Sequence, residues 1–267
     1  MMDEAGDLKD ECSELDRFLE RLYPQDWARR TDFFGWTVAD EIMHLHLVDL
    51  FGLEALQDPQ AFAATAARVR AQLTAGVELS AEMRERFGGL APQALRVTWR
   101  ELWLRICNKL STDDAQRRIP WFGPSMRVRA FACARQMEVW AHGQDIYDLF
   151  GIERVNADRI RNICDLGVRT FAWSFENRGE LAPVLRPSVT LTAPSGAEWT
   201  WNPEGTERIS GAAEDFALVV TQRRNVADTR LNVAGAGAGR WMQIAQCFAG
   251  RPETPPAPGA RAARAAN

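Results

Sequence analysis

The stretch from Ser125 to Phe150, SMRVRAFACARQMEVWAHGQDIYDLF, constrains this chain more than any other. It reads as one long helix, with Ser125 placed as an N-cap after the proline-bounded loop Ile119 to Pro124. Glu138 and His142 lie four residues apart and share a helix face; Arg135 and Asp145 lie one turn before and one turn after them. Such a pair occurs on many solvated helix faces and need mean nothing. Here Met137, Trp140, Ala141 and Ile146 flank it, and a largely buried helix does not carry unpaired charge. The pair reads as two metal ligands that need a third.

The chain holds three histidines. The other two, His44 and His46, sit on a second helix, roughly 38 to 53, opened by the capping-box pattern Thr37-Val-Ala-Asp40. They differ by about 200° of rotation, so only one can face a bundle interior. Asp40 lies one turn before His44 on the same face, and His44 is the candidate third ligand. Asp40 then either supports a ligand from outside the coordination sphere or contacts a substrate. Arg135 either holds a substrate carboxylate or pairs with Glu138 or an aspartate. Asp145 either orients a ligand or sits in a salt bridge. The loop Trp121 to Met126, with Trp121 and Ser125, either lines a pocket or caps the helix.

The rest of the N-terminal part is helical. Leu8, Cys12, Leu15, Leu19 and Leu22 form the stripe of a first helix that ends before Pro24. An alanine-rich helix follows the histidine helix, then a short one (SAEMRERF), then one opened by Pro92 with Leu95, Trp99, Leu102 and Ile106 on one face. A further helix is predicted from Asp158 to about Asn177. The pattern changes after Gly179. Ser188–Thr192 and Glu198–Trp201 alternate at period two around the turn Pro194-Ser-Gly196, a β-hairpin. Arg208–Ser210 and Arg230–Ala234 predict short strands, and Ala213–Thr221 and Arg240–Phe248 predict helices. The expected fold class is α+β with two domains: a four-helix bundle over 1–182, a small α+β domain over 183–251, and a disordered tail over 252–267. The glycines Gly235-Ala-Gly237-Ala-Gly239 lack the GxGxxG spacing of a dinucleotide loop and read as a turn.

Composition removes several function classes. Net charge is −4 with no basic block before the tail, which argues against a nucleic-acid or anionic-membrane partner. No apolar run approaches the ~20 residues of a membrane span, and the acidic, polar N-terminus is no signal peptide. Five cysteines without a CxxC read as reduced core thiols in a cytoplasmic protein.

Two further patterns carry a resemblance. Trp36 to Leu45, W-T-V-x-D-x-x-x-H-L, resembles the opening motif of DinB-like metalloproteins and, more closely, of the mycothiol-dependent maleylpyruvate isomerase family. PWFGPSM at Pro120 to Met126, followed by A-R-x-M-E-x-W-A-H-G-Q-D at Ala134 to Asp145, is similar to an actinobacterial branch of that family known as metal-binding. GAAEDFALVVTQRR and WMQIAQCFAG are similar to its second domain, which resembles sterol-carrier proteins. The resemblance covers nearly the whole chain before the tail. It implies a DinB-like bundle whose metal ligands are His44, Glu138 and His142, usually on zinc. It also implies an arginine of the second domain at the active site. Arg223 is the nearest match and Arg224 the alternative, although the family's Gly-Arg is here Gln222-Arg223.

Two histidines and one glutamate leave a coordination position open, as catalytic zinc sites do. The same donor set suits Fe²⁺ or Ni²⁺, and spacing alone leaves an oxygenase open. The resemblance implies that mycothiol, a low-molecular-weight thiol, takes the open position as cosubstrate, where its pKa falls so that the thiolate exists at neutral pH. In the isomerase that thiolate is thought to add to a conjugated double bond, which rotates before the thiol leaves; the same activation would serve S-transfer. The expected function is therefore thiol-dependent isomerisation or S-transfer on a small electrophile, by a monomer or homodimer. A non-catalytic metal-containing protein that binds an apolar ligand, and a zinc hydrolase, are the other readings.

Overall fold

The structure, a computed structural model, describes residues 3–261. The backbone forms two compact units, Met1–Leu149 and Phe150–Asn267. The composition shift on which the expected break near 182/183 rests falls later, and the helices between 161 and 176 cluster with the second unit.

Four long helices dominate the first unit: α1 (Asp3–Leu19), α2 (Val38–Gln57), α5 (Pro92–Thr112) and α6 (Val128–Phe150). The shorter α3 (Pro59–Thr74) and α4 (Leu79–Phe87) lie between α2 and α5 in the chain. The apolar stripes predicted for α1 and α5 are buried at Leu8, Cys12, Leu15 and Leu19 on the first and at Leu95, Trp99, Leu102 and Ile106 on the second, whereas Leu22 falls past the end of α1 and is only half-buried. Each such side chain removed from water contributes about 1.5–3 kcal/mol before its ordering cost. The start of α2 is the expected capping box. Thr37 Oγ1 accepts from the Asp40 amide at 3.1 Å, and Asp40 Oδ2 accepts from the Thr37 amide at 2.9 Å.

The start of α6 differs from expectation, and Ser125 is not its N-cap. Met126–Arg127 (β2) pairs antiparallel with Arg118–Ile119 (β1), and the helix begins only at Val128. The amides of Val128 and Arg129 donate to the carbonyls of Arg117 and Ala115. Backbone carbonyls thus satisfy amides that a side-chain cap would otherwise serve. Exposed Ser125 instead accepts from Arg118 Nε at 3.0 Å.

In the second unit the single helix expected over 158–177 is three pieces: a 3₁₀ turn (Asp158–Ile160), α7 (Arg161–Arg169) and α8 (Phe171–Glu176). At the break, Thr170 Oγ1 donates back to the carbonyls of Leu166 and Gly167, at 2.9 and 3.0 Å, a local bond that competes with helix continuation. The hairpin is present as β3 (Ser188–Thr192) and β4 (Glu198–Trp201), with Val189 opposite Trp201 and Thr192 opposite Glu198. With β5 (Arg208–Ala212) and β6 (Asn232–Ala234) they form one sheet in the order β4-β3-β5-β6, in which only β3 and β5 run parallel. Val189, Leu191, Ile209, Phe216 and Trp241 are buried together with the helices α9 (Ala213–Val220) and α10 (Ala236–Ile244).

Gly235 to Gly239 is not a loose turn: four of these residues open α10. Gly235 has φ +111°, and a side chain there would strike Glu207, whose carboxylate accepts from the amides of Gly237 and Ala238 at 3.1 and 2.6 Å. The chain's own glutamate thus takes up the amides at the N-terminus of α10.

The segment 252–261 also differs from the expected disorder. The carbonyl of Glu253 accepts from Gln222 Nε2 at 3.1 Å, that of Pro256 from Asn225 Nδ2 at 2.8 Å, and the Gly259 amide donates to Asp228 at 2.9 Å. Residues 262–267 of the expected tail lie outside the described residues.

Candidate metal centre

His44 on α2 and Glu138 and His142 on α6 converge, with their ligand atoms all within 4.8 Å of one another. Glu138 Oε2 lies 3.5 Å from His44 Nε2 and 3.3 Å from His142 Nε2. Bonds of about 2.0–2.1 Å around a tetrahedral cation set neighbouring donor atoms about 3.3 Å apart. The two separations from Glu138 each match an edge of such a tetrahedron. Donor chemistry fits as well. Burial, followed by the neighbouring His142, pushes His44 below the ordinary histidine range and keeps its lone pair free. Burial works to raise Glu138, but the imidazoles of His142 and His44 beside it outweigh that and hold the carboxyl well below the usual range. His142 is only 3% exposed, whereas the side chains of His44 and Glu138 keep 17% and 25% exposure. The site is open on their side.

The rear of His142 is held by a group that sequence reasoning did not find. Its Nδ1 lies 2.6 Å from Oε2 of the fully buried Glu41, and Glu41 Oε1 accepts from Thr31 Oγ1 at 2.7 Å. A proton on Nδ1 shared with that carboxylate leaves Nε2 as the unprotonated, metal-facing nitrogen. The signal was partial: Glu41 lies just before Ile42 and Met43 on a helix read as buried, where a carboxylate needs a partner.

An aromatic turn walls the histidines. Phe34 and Gly35 both take left-handed backbone angles, φ +50° and +68°, and the Trp36 amide donates to the Phe33 carbonyl at 2.9 Å. This is the geometry of a type I′ turn, for which glycine is the usual second residue. The turn brings Phe33 and Trp36 together, with ring centroids 5.1 Å apart. Phe33 meets His142 edge-on at 5.1 Å; Trp36 stacks on His142 at 6.0 Å and lies 5.4 Å from His44.

The other candidate residues fall elsewhere or in second rank. His46 is buried against Phe87, ring centroids 4.5 Å apart, and its Nδ1 has no hydrogen-bond partner among the described residues. Asp40 caps α2 and accepts from Arg84 Nε at 2.7 Å. Asp145, buried, forms a second ligand-like cluster with Glu41 and His142. Arg135, 2% exposed, donates through Nε to Asp49 Oδ1 at 2.9 Å, while Trp99 Nε1 donates to Asp49 Oδ2 at 3.1 Å. That pair ties α6 to α2 and α5. Trp121 stacks on Phe62 with rings 5.5 Å apart, within an aromatic cluster that includes Phe122 and Phe131. In the second unit Arg223 and Arg224 are buried after the left-handed Gln222 (φ +58°); Arg223 Nη1 donates to the Thr221 carbonyl at 2.8 Å and Arg224 Nη1 to the Arg223 carbonyl at 2.9 Å.

Residues 8–147 match the model of the mycothiol maleylpyruvate isomerase N-terminal domain. Two uncharacterized proteins of Mycobacterium tuberculosis, from strains CDC 1551 and H37Rv, are each 37% identical to this chain over 249 residues, covering 93% of it and 96% of the relative. Among solved structures, the crystal structure of the mycothiol-dependent maleylpyruvate isomerase superposes with a TM-score of 0.52 at 17% identity, over 81% of this chain and 87% of that one. A histidine-to-alanine mutant of that enzyme matches equally, at 16% identity. At that identity the likeness speaks for the fold.

Proposed function

This chain belongs to the mycothiol-dependent maleylpyruvate isomerase family of DinB-like proteins, and we propose that it is an enzyme that activates a low-molecular-weight thiol, mycothiol in our reading, at a divalent cation, for isomerisation of or S-transfer to a small electrophile. The observation that carries the reading is the donor set: two imidazole nitrogens 3.5 and 3.3 Å from one carboxylate oxygen. A zinc ion held there would supply an open coordination position at which a thiol ionises near neutral pH.

The remaining work falls to the chain's own residues. Glu41 holds the proton on His142 Nδ1 and so keeps Nε2 aimed at the site. Phe33 and Trp36 exclude water from the face of His142 that they cover, which strengthens the electrostatic interactions behind them. The exposed edges of His44 and Glu138 leave the approach for a thiol. We keep Arg223, or Arg224 in its place, as the candidate catalytic arginine that the family resemblance implies, and assign Asp145 the role of supporting His142 beside Glu41. The second unit is read as a sterol-carrier-like domain on the strength of its four-stranded sheet with α9 and α10, and 182/183 as the domain boundary of the sequence. No helix is long and apolar enough to cross a membrane among the described residues.

Metal analysis of the purified protein, followed by assay of thiol-dependent turnover, tests the proposal. One zinc per chain and turnover that requires the thiol are expected, with His44→Ala and Glu138→Ala abolishing both. Metal-free protein, together with two variants that behave like the wild type, would refute it. Bound metal without thiol-dependent turnover would favour a non-catalytic metal protein, and thiol-independent hydrolysis a zinc hydrolase.

A further inference from the structure

We infer that Thr31 and Glu41 are positioning residues of the metal centre, joined in one hydrogen-bond chain that sets a metal ligand and the aromatic turn together. The chain is continuous. The Phe33 amide donates to Thr31 Oγ1 at 3.3 Å. Thr31 Oγ1 donates to Glu41 Oε1 at 2.7 Å, with the Trp36 carbonyl as a longer second acceptor at 3.1 Å, and Glu41 Oε2 meets His142 Nδ1 at 2.6 Å. Thr31 and Glu41 are 3% and 0% exposed, so water does not compete for these bonds.

The same threonine closes the turn. Its amide donates to the Trp36 carbonyl at 2.7 Å, next to the backbone bridge between Arg30 and Thr37. The side chains that this turn presents, Phe33 and Trp36, are the ones against His142 and His44. Thr31 therefore has two connections to one imidazole: through Glu41 to its rear nitrogen, and through the turn to the aromatic rings on its face. A carboxylate on the far nitrogen of a metal-bound histidine fixes its tautomer and raises its basicity, and losing such a partner typically weakens metal binding 10–100-fold. Here that carboxylate is itself oriented by a hydroxyl anchored in the turn, so turn geometry and ligand geometry are set as one. The role is distinct from that of Asp40, whose carboxylate is taken up by the α2 cap and Arg84.

The inference rests on the metal reading above, and the experiment separates the two. Zn²⁺ affinity is measured by chelator competition on the full chain, and Co²⁺ is loaded in its place to record the visible spectrum, which reports ligand geometry directly. Glu41→Gln keeps the shape but replaces the charge; it is expected to bind Zn²⁺ 10–100-fold more weakly and to shift the Co²⁺ bands. Thr31→Val, which removes only the hydroxyl, is expected to shift the same bands with a smaller loss of affinity, and Thr31→Ser to restore both. Thr37→Ala serves as the structural control: it weakens the α2 cap and should lower thermal stability without moving the Co²⁺ spectrum. If Glu41→Gln fails to fold, Thr31→Val with its serine rescue decides. Folded Glu41→Gln or Thr31→Val with wild-type affinity and spectrum overturns the inference while leaving the metal reading intact. A wild-type chain that binds neither metal overturns the metal reading and the inference with it.

Discussion

His44 and His46 stand two positions apart on α2 and end in opposite surroundings. His44 faces Glu138 and His142, while His46 packs edge-on to Phe87 behind it. Replacing His46 with alanine should therefore leave the metal content at wild-type level while costing about 1–3 kcal/mol of stability, measured by metal analysis and urea unfolding; His44→Ala should do the reverse to the metal. Burial, then the charge of Arg86, pushes His46 down to about 4. The unfolded ring accepts a proton below about pH 6.5, but the folded ring does not until about pH 4. Between those values the unfolded state binds more protons, so stability falls as pH falls, by roughly 3 kcal/mol across the window. His46→Leu should flatten this part of the unfolding-against-pH curve; an unchanged slope would show that other groups carry it. That only one of the two histidines could face the site was legible in the sequence, because residues two apart on a helix of period 3.6 point about 200° from each other. Glu41 was not, because helical position says which way a side chain leaves the backbone, not which distant helix supplies its partner.

Helix α2 brings His44 and Glu41 to the site, and α6 brings Glu138 and His142, so the spacing of these two elements sets the spacing of the candidate ligands. Two contacts control it. At Gly52 a Cβ would lie 2.5 Å from Phe131 Cζ, so the helices approach there only because glycine has no side chain. Gly52→Ala is expected to cost about 1–3 kcal/mol by overpacking and to weaken Zn²⁺ binding as α2 moves away from α6; loss of stability with unchanged affinity would mean that the strain is absorbed by the Phe131 ring alone. Nearer the ligands, Asp49 accepts from Arg135 and Trp99 in a buried pair. Asp49→Ala leaves the Arg135 charge buried without its carboxylate and should cost about 3–5 kcal/mol in urea unfolding. Replacing both partners with apolar residues should cost much less. The sequence showed Arg135 on the ligand face of α6 but left two partners open; packing of α2 and α5 against that face selected Asp49.

At the scale of the molecule, a cation that binds only the folded state stabilises it by mass action, by about 2.7 kcal/mol at a hundredfold excess over its dissociation constant. Thermal unfolding of the wild type should shift upward with added Zn²⁺ and downward with a chelator. Glu138→Ala should show neither shift; a full shift in that variant would place the cation elsewhere. No disulfide joins the described cysteines, and Cys12, Cys107, Cys164 and Cys247 are buried, so reducing agent should leave the unfolding curve unchanged.

The sequence by itself determined most of the helices and strands, the cap of α2, the hairpin, and the Glu138–His142 pair on one face of α6, because each is written in local spacing: 3.6 for helices, two for strands, four for a pair on one face. It failed where the deciding contact is distant. The start of α6 was set by the carbonyls of Ala115 and Arg117 rather than by Ser125, the glycine run was claimed by Glu207, and segment 252–261 was held by Gln222, Asn225 and Asp228. Only the tertiary structure decided that Glu41, and behind it Thr31, stands at the rear of His142. A buried carboxylate must find a partner, and which partner is within 2.6 Å is a property of two packed helices, not of either one alone.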